Sequence, residues 1–290
     1  MKILISGVSG LLGSNLSAYL KTKDEEVFGA CRSCENGCQC DFTNREKVFE
    51  LLDRISPDVI VNLVALVNVD ECEKNPNKAF LINVRVAENI AQWVIRNGKK
   101  TKLVHISTDH VYNKNGYHKE EDIELINTYA ISKYQSELAI LEADGVVLRT
   151  NFFGFHQIDR EKGFLAYIVK NLKTSTHFYV STNVKFNPLS VNTFCENIHN
   201  VIKNPVKGVF NVGCKDSMTK GEFVEELCRI NNFDPKYMIS DNSPVIDNKS
   251  VRPADMRMDC SLFEKTYGVS MPNIKDEIKK VFDNACDKEN

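Results

Sequence analysis

Short apolar runs alternate along the first half of the chain with longer stretches in which apolar residues recur at helical spacing. Residues 3–5 predict a strand, residues 7–13 a glycine turn, and residues 14–20 a helix. The pattern then predicts further strands at 27–30, 59–64, 103–107 and 146–149, and further helices at 45–55, 79–96 and 129–141. Such alternation predicts a doubly wound parallel sheet of the α/β class.

This regularity weakens beyond residue 150. Helical patterns remain at 164–172, 191–202 and 221–230, and a late strand is predicted at 208–213. We therefore expect a first domain over residues 1–150, to which parts of 185–215 can return, and a smaller C-terminal α/β region over residues 151–290.

Composition narrows the class of partner. The chain has 290 residues, 37 Lys and Arg against 39 Asp and Glu, and 42% apolar residues, a profile that excludes disorder, collagen and membrane channels. A net charge of −2 produces no overall positive potential that would attract nucleic acid or an anionic membrane. The longest apolar stretch, 59–69, is interrupted by two asparagines and is far shorter than the ~20 residues of a membrane span. We expect neither nucleic acid nor a membrane as partner.

Four of the ten cysteines, Cys31, Cys34, Cys38 and Cys40, lie close together. Glycines interrupt the N-terminal apolar run before a signal peptide could form, so we expect a reduced, cytoplasmic protein in which most cysteines act as small buried hydrophobic side chains. A four-thiolate zinc site is the alternative, but structural zinc sites usually hold two separated cysteine pairs. The spacing favours a cysteine-rich loop without metal.

Three glycines, Gly7, Gly10 and Gly13, lie where the first predicted strand meets the first helix. Backbone N–H groups and the positive helix end can bind a pyrophosphate there, which favours a dinucleotide site over a plain tight turn. An NAD site would add an acidic residue about 20 positions further on. Arg32 stands near the end of the second strand instead and favours the 2′-phosphate of NADP. A solvated Arg32 is the alternative, which keeps NAD open.

Tyr129 and Lys133 are four positions apart in a predicted helix and therefore project from one face. An ammonium beside a phenol lowers the pKa of the phenol, which suits a general acid. Tyr19 and Lys23 have the same spacing, so spacing alone is insufficient. Thr108 adds to the case, because it follows a predicted parallel strand at the edge where open sheets bind ligands.

Taken together, these motifs resemble the extended short-chain dehydrogenase/reductases, and within them the dTDP-4-dehydrorhamnose reductase branch. The matching segments are the glycine turn, Cys40–Thr43, Asn62–Ala65, Val69–Glu73, Asn83, Ser107–Asp109, Tyr129-x3-Lys133, Leu148–Asn151, and Arg252-Pro253 before Met258-Asp259. The resemblance implies a Rossmann-type doubly wound sheet, an NADP-binding domain over residues 1–150, and a C-terminal substrate-binding region.

The resemblance also implies residue roles. Tyr129 would be the general acid, Thr108 would bind the substrate carbonyl, and Lys133 would bind the nicotinamide ribose and tune Tyr129. Implied cofactor contacts are Gly7, Gly10, Leu11, Leu12, Gly13, Arg32, Asp41, Phe42, Asn62, Ala65, Asn83, Ser107, Tyr129 and Lys133. Implied substrate contacts are Val67, Thr108, Asp109, Asn151 and Arg252.

We therefore predict an NADPH-dependent reductase of a 4-keto-6-deoxy sugar nucleotide that serves polysaccharide synthesis, with a homodimer allowed. Two departures from the family pattern concern the substrate side: His110 follows Asp109, and Phe152 stands where a tryptophan is common. His110 could relay a proton, although a packed histidine is commoner. The alternatives are an epimerase or dehydratase of the same fold with bound NAD, and a non-catalytic NADP-binding regulatory subunit.

Overall fold

The computed structural model describes residues 1–34, 37–157, 159–161, 163–241 and 250–286. Its strands are β1 (Lys2–Ser6), β2 (Glu26–Cys31), β3 (Cys38–Gln39), β4 (Val59–Asn62), β5 (Lys102–Ile106), β6 (Val146–Thr150), β7 (Phe152–Phe153), β8 (Phe178–Val180), β9 (Lys185–Phe186), β10 (Leu189–Ser190), β11 (Gly208–Val212), β12 (Met218–Thr219) and β13 (Met238–Ser240). Its α-helices are α1 (Leu11–Lys21), α2 (Arg45–Ile55), α3 (Val69–Lys74), α4 (Pro76–Ala79), α5 (Val86–Arg96), α6 (Thr128–Glu142), α7 (Phe164–Lys173), α8 (Val191–Lys203), α9 (Lys220–Asn231), α10 (Ser261–Tyr267) and α11 (Ile274–Cys286).

Seven of these strands form one parallel sheet in the order β11-β6-β5-β4-β1-β2-β3. The chain runs outward from β1 to β3, returns to β4, and then runs outward on the other side to β11. The predicted doubly wound parallel sheet is therefore confirmed. Between β1 and β4 the strand order reverses, and open sheets bind ligands in the crevice at that point.

Both faces of the sheet are covered by helices, which explains why its central strands β1 and β4 are apolar over most of their length. Along β1, Ile3 and Ile5 belong to the core beneath α1 and α8, whereas Leu4 belongs to the core beneath α2 and α5. All three side chains are fully buried, as expected from the alternation of side chains along a strand. The sequence pattern alone had located this strand at 3–5.

The helix predicted at 79–96 is not continuous. The structure has α4, then a π-helical segment at Phe80–Arg85, and then α5. A π-helical segment widens the helix locally and often occurs near functional sites. Here it contains Asn83, whose side chain is fully buried and binds the loop after β4, as described below. The strand predicted at 59–64 is also shorter and ends at Asn62, because the chain turns there into that loop.

In the C-terminal half, β11 pairs with β6 and so extends the main sheet. The remaining described strands form three pairs: β10 with β7 in parallel, β12 with β9 in antiparallel, and β13 with β8 in parallel. Division of the chain into a cofactor domain over 1–150 and a substrate region over 151–290 stays a prediction.

The cysteines depart from expectation at one place. The sulfurs of Cys31 and Cys34 are joined as a disulfide, with the two Cα atoms 5.5 Å apart, so the prediction of a fully reduced chain is wrong at this pair. The expected role as small buried side chains is confirmed for most of the others: Cys40, Cys72, Cys195, Cys214, Cys228 and Cys260 are buried. Among the described residues, no group of three or more His, Cys, Asp or Glu side chains is arranged to hold a metal ion.

A membrane span needs a long apolar helix, and none of the helices in the described ranges meets that requirement.

Candidate active site

The glycine turn lies at the carboxyl end of β1, where the sheet order reverses. Gly7 has a φ of +78°, a left-handed conformation that favours glycine. Its N–H donates to the Ala30 carbonyl on β2 at 2.8 Å, which ties the turn to the neighbouring strand. Helix α1 then begins after Gly10 without a side-chain cap. The N–H groups of its first turn have no partner within the helix and can therefore bind phosphate oxygens.

Gly10 and Gly13 have different roles in this turn, which yields a matched pair of variants. A Cβ on Gly13 would collide with the Gly7 carbonyl oxygen and lie 2.7 Å from the Val8 Cα, whereas a Cβ on Gly10 would lie 3.4 Å from the Gly7 oxygen.

We expect Gly13→Ala to lower the free energy of unfolding by about 1–3 kcal/mol, because the backbone must shift. Gly10→Ala should leave unfolding unchanged and weaken dinucleotide binding. Thermal unfolding and calorimetry with NADPH measure both effects; a Gly13→Ala protein of unchanged stability would contradict this account.

A cleft with two lobes extends from the turn, and both lobes are lined by Gly7, Gly10, Leu63 and Ala65. One lobe has a volume of about 410 Å³ and its wall includes Arg32, Asp41, Phe42 and Thr43. The other lobe has a volume of about 460 Å³ and its wall includes Leu11, Leu12, Gly13, Val67, Ser107, Thr108, Asp109, His110, Tyr129, Lys133, Asn151 and Phe152. Two lobes that meet at the glycine turn have the arrangement expected of a site for the two halves of a dinucleotide.

At the first lobe, Arg32 is exposed and Phe42 is buried in the core, with only 3% of its surface exposed. The Asp41 carboxylate accepts hydrogen bonds from the backbone N–H and the hydroxyl of Thr43, at 3.1 and 2.7 Å. These bonds, together with the nearby Arg32 charge, lower the pKa of Asp41. The lobe thus offers two exposed cations, Arg32 and Lys78, together with an ionised and fixed carboxylate.

At the second lobe, the hydroxyls of Thr108 and Tyr129 meet. Burial raises the pKa of Tyr129, and a hydrogen bond with Thr108 opposes this rise. Asn127 caps α6 by accepting a hydrogen bond from the Ala130 N–H at 2.8 Å, which fixes the turn that carries Tyr129. The His110 ring packs edge-on against the Tyr129 ring, with centroids 5.4 Å apart.

Lys133 also lines this lobe, but its ammonium does not act on Tyr129 as predicted. Its Nζ donates to the Ile106 carbonyl at 2.8 Å and lies 3.1 Å from His105 Nε2. Burial lowers the pKa of Lys133 to about 8, and the Tyr129 pKa is raised, not lowered. The predicted lowering of the phenol pKa by a neighbouring ammonium is therefore wrong for the protein without ligand, because burial dominates and the lysine is bonded elsewhere.

His105 is a member of this site that the sequence analysis missed. It is fully buried, and its Nδ1 lies 3.0 Å from Asn62 Nδ2 while its Nε2 lies 3.0 Å from Ser136 Oγ. Asn62 in turn accepts a hydrogen bond from Ser6 at 2.8 Å, so the ends of β1, β4 and β5 are linked to Lys133. The one available signal was its position two residues before Ser107, on the strand that leads to the site.

Two asparagines predicted as cofactor contacts, Asn62 and Asn83, lie beneath the surface of the cleft. Neither Asn62 nor Asn83 is among the residues that line the two lobes, and both are fully buried. Asn83 accepts a hydrogen bond from the Leu66 N–H at 2.6 Å and donates to Ser132 on α6 at 2.8 Å. These bonds fix the loop after β4, which carries Ala65 and Val67.

On the substrate side, Asp109 is held by Asn151, whose Nδ2 donates to its carboxylate at 2.8 Å. Burial raises the pKa of Asp109 to about 6. Val67 is 67% exposed at the rim of the lobe. Arg252 is not among the residues that line the two lobes; its guanidinium donates to Asp70 at 2.8 Å and to the Ser250 carbonyl at 3.2 Å.

Comparison with known proteins identifies the family. Residues 1–286 match the family model described as RmlD substrate binding domain. The chain is 27% identical over 290 residues to the probable low-salt glycan biosynthesis reductase Agl14 of Haloferax volcanii, with 96% of each chain covered. It is 33% identical over 157 residues to dTDP-4-dehydrorhamnose reductase of Aggregatibacter actinomycetemcomitans, a match over 52% of this chain and 51% of that protein.

Among solved structures, the fold is similar to that of dTDP-4-dehydrorhamnose reductase from Bacillus anthracis in complex with NADP. The TM-score is 0.88 at 22% identity, and the match covers 98% of this chain and 99% of that one. This likeness establishes the shared Rossmann-type fold. Because the family model matches nearly every residue, the predicted resemblance is confirmed, and the chain belongs to the RmlD substrate binding domain family.

Proposed function

We propose that this protein reduces the keto group of a 4-keto-6-deoxy sugar nucleotide with NADPH, with Tyr129 as the general acid. The observation that carries the proposal is the second lobe of the cleft, whose wall contains Thr108, Tyr129 and Lys133 next to the glycine turn. The protein is an NAD(P)-dependent oxidoreductase of the sugar-nucleotide class, in keeping with its family and with relatives named as reductases. Polysaccharide synthesis, a homodimer and a cytoplasmic location stay predictions.

The residues present fit an NADP molecule. The uncapped start of α1 can bind the pyrophosphate, and Arg32 lies at the lobe where a 2′-phosphate would bind. Lys133 is fixed by the Ile106 carbonyl beside the other lobe and can donate to ribose hydroxyls. When bound, NADPH supplies the hydride.

The chain itself supplies the proton and the orientation of the substrate. Thr108 and Tyr129 present two hydroxyls from different elements, the end of β5 and the start of α6, so a carbonyl oxygen can accept a hydrogen bond from each. Tyr129 then gives its proton to that oxygen as negative charge develops there. The raised pKa of Tyr129 keeps the phenol protonated until the substrate carbonyl is in place.

The experiment that tests this proposal follows NADPH absorbance with purified protein and a freshly generated dTDP-4-keto-6-deoxy sugar. We expect stoichiometric loss of the NADPH signal. An epimerase would convert the sugar without net loss, and a regulatory subunit would bind NADPH and leave both compounds unchanged. Either of those outcomes would overturn the proposed reduction.

Arg32 provides a test of cofactor preference. We expect Arg32→Ala to weaken NADPH binding roughly 10- to 150-fold, because a charge-assisted hydrogen bond contributes about 1.5–3 kcal/mol. NADH binding should change less than about twofold, since NADH lacks the 2′-phosphate. Calorimetry with both cofactors measures the effect, and Arg54→Ala, at an exposed position on α2, is the control. Equal losses for NADPH and NADH would refute the assignment.

A further inference from the structure

His105 on β5 is a fully buried titratable group that the proposed mechanism does not use. Its Nδ1 lies 3.0 Å from Asn62 Nδ2 on β4. Its Nε2 faces α6, 3.0 Å from Ser136 Oγ and 3.1 Å from Lys133 Nζ. Burial lowers the pKa of His105 well below its ordinary value, and the charge of Lys133 lowers it further, so the ring is neutral at pH 7. A neutral ring thus separates the sheet from the lysine that lines the second lobe.

The surroundings of Asn62 determine which ring nitrogen of His105 carries the hydrogen. The Val64 N–H, which can only donate, lies 3.3 Å from Asn62 Oδ1, and the Ser6 hydroxyl donates to the same oxygen at 2.8 Å. The amide nitrogen of Asn62 therefore faces His105 and donates to Nδ1. Because a neutral imidazole has one N–H, the hydrogen is on Nε2.

The Nε2–H of His105 donates to Ser136. The Ser136 hydroxyl gives its own hydrogen to the Lys133 carbonyl at 2.6 Å, so its oxygen can accept from Nε2. The Lys133 ammonium is almost as close to Nε2, but a ring nitrogen that carries a hydrogen has no lone pair to accept with. The ring therefore limits the position of Nζ without taking any of its hydrogens.

The other neighbours of the ammonium leave most of its donors unused. Lys133 Nζ donates to the Ile106 carbonyl at 2.8 Å, and within the described part of the chain no other group accepts from it. The charge of Glu137 favours the ammonium, but the Glu137 carboxylate is bonded to Arg149 at 2.6 Å. Two of the three ammonium hydrogens therefore stay available to a ligand in the second lobe, whose wall includes Lys133.

We infer that His105 is a positioning residue for cofactor binding: it presents an N–H and not a lone pair to Lys133, and so leaves the ammonium hydrogens for the ribose hydroxyls of the dinucleotide. His105 acts through Lys133, since it is not among the residues that line the two lobes. The inference rests on the proposed function, because it takes Lys133 as the residue that binds the ribose. It also gives Asn62 a role from beneath the cleft, as the group that sets the hydrogen on Nε2.

The test measures NADPH binding by calorimetry, without any sugar, in two variants of His105. We expect His105→Leu to lower NADPH affinity about 5- to 12-fold, the contribution of one hydrogen bond, because the Ser136 oxygen then becomes available to the Lys133 ammonium and draws it from the lobe. His105→Gln should stay within about threefold of the unsubstituted protein, because its amide can donate to Ser136 and accept from Asn62. A His105→Gln protein as weak as His105→Leu would contradict the inference.

The matched control is Thr101→Val, next to the other end of β5. It removes a buried hydrogen bond of Thr101 to the Pro57 carbonyl at 2.8 Å and should lower stability without changing NADPH affinity. Thermal unfolding compares the stability of all variants. If His105→Leu does not fold, His105→Asn replaces it with the same expected loss, since its shorter side chain can accept from Asn62 but does not reach Ser136.

A double-variant cycle separates positioning from a general structural effect. If His105 acts through Lys133, adding His105→Leu to Lys133→Met causes no further loss of NADPH affinity. Losses that add would overturn the inference, and so would a His105→Leu or a Lys133→Met protein with unchanged NADPH affinity. The NADPH consumption assay with sugar tests the proposed function separately. Coupled losses without NADPH consumption would refute only the reductase, and NADPH consumption with additive losses would refute only the role of His105.

Discussion

Replacing Tyr129 by phenylalanine is expected to lower kcat about 10²- to 10⁴-fold, the range that a positioned general acid contributes. The substitution removes one hydroxyl and keeps the buried ring and its edge-on contact with His110. NADPH affinity should stay within about twofold, because the ammonium of Lys133 is fixed by the Ile106 carbonyl and not by the phenol. Steady-state kinetics and NADPH calorimetry measure the two quantities.

The matched control is Tyr134→Phe, which makes the same change on the same helix. Tyr134 packs partly buried against the core and is not among the residues that line the cleft. Its kcat should be unchanged. If Tyr129→Phe kept full activity, the proton would come from another group, and Asp109, with a pKa of about 6, would be the next candidate.

Replacing Arg149 by methionine is expected to lower the free energy of unfolding by about 3–5 kcal/mol. Arg149 and Glu137 form an ion pair at 2.6 Å with 2% and 1% of their side-chain surfaces exposed, so the variant leaves a buried carboxylate without its counter-charge. At roughly 2 °C per kcal/mol for a chain of this size, Tm should fall by about 6–10 °C. Glu137 also accepts a hydrogen bond from Ser107, so the substitution should disturb the strand end that carries Thr108.

Two further variants test whether the unpaired buried carboxylate of Glu137 causes the loss of stability. Arg96→Met removes the arginine of an exposed pair with Asp53, in which 60% and 50% of the side-chain surfaces are exposed, and should cost no more than about 1 kcal/mol. Adding Glu137→Leu to Arg149→Met removes the unpaired carboxylate and should recover part of the lost stability. A double variant no more stable than Arg149→Met would show that the carboxylate is not the source of the loss.

Local patterns in the sequence predicted most of the fold over residues 1–150. The strand at 3–5, the glycine turn and the following helix are encoded within about 20 consecutive residues. The spacing of apolar residues and the conformational freedom of glycine are properties of neighbouring residues, so they can be recognised without the rest of the chain. The same holds for the alternation up to β6. The π-helical segment at Phe80–Arg85 escaped prediction, because it depends on Asn83 reaching the loop after β4, which is distant in sequence.

The sequence by itself determined the doubly wound sheet, the glycine turn at the end of β1, and the placement of Tyr129 and Lys133 on one helix. Only the tertiary structure decided the partners of the charged groups. Lys133 is bonded to the Ile106 carbonyl and not to Tyr129, and Arg252 pairs with Asp70 although 182 positions separate them in the sequence. The physical reason is that a charged group responds to burial and to neighbours in space, and neither of these is recorded in residue spacing.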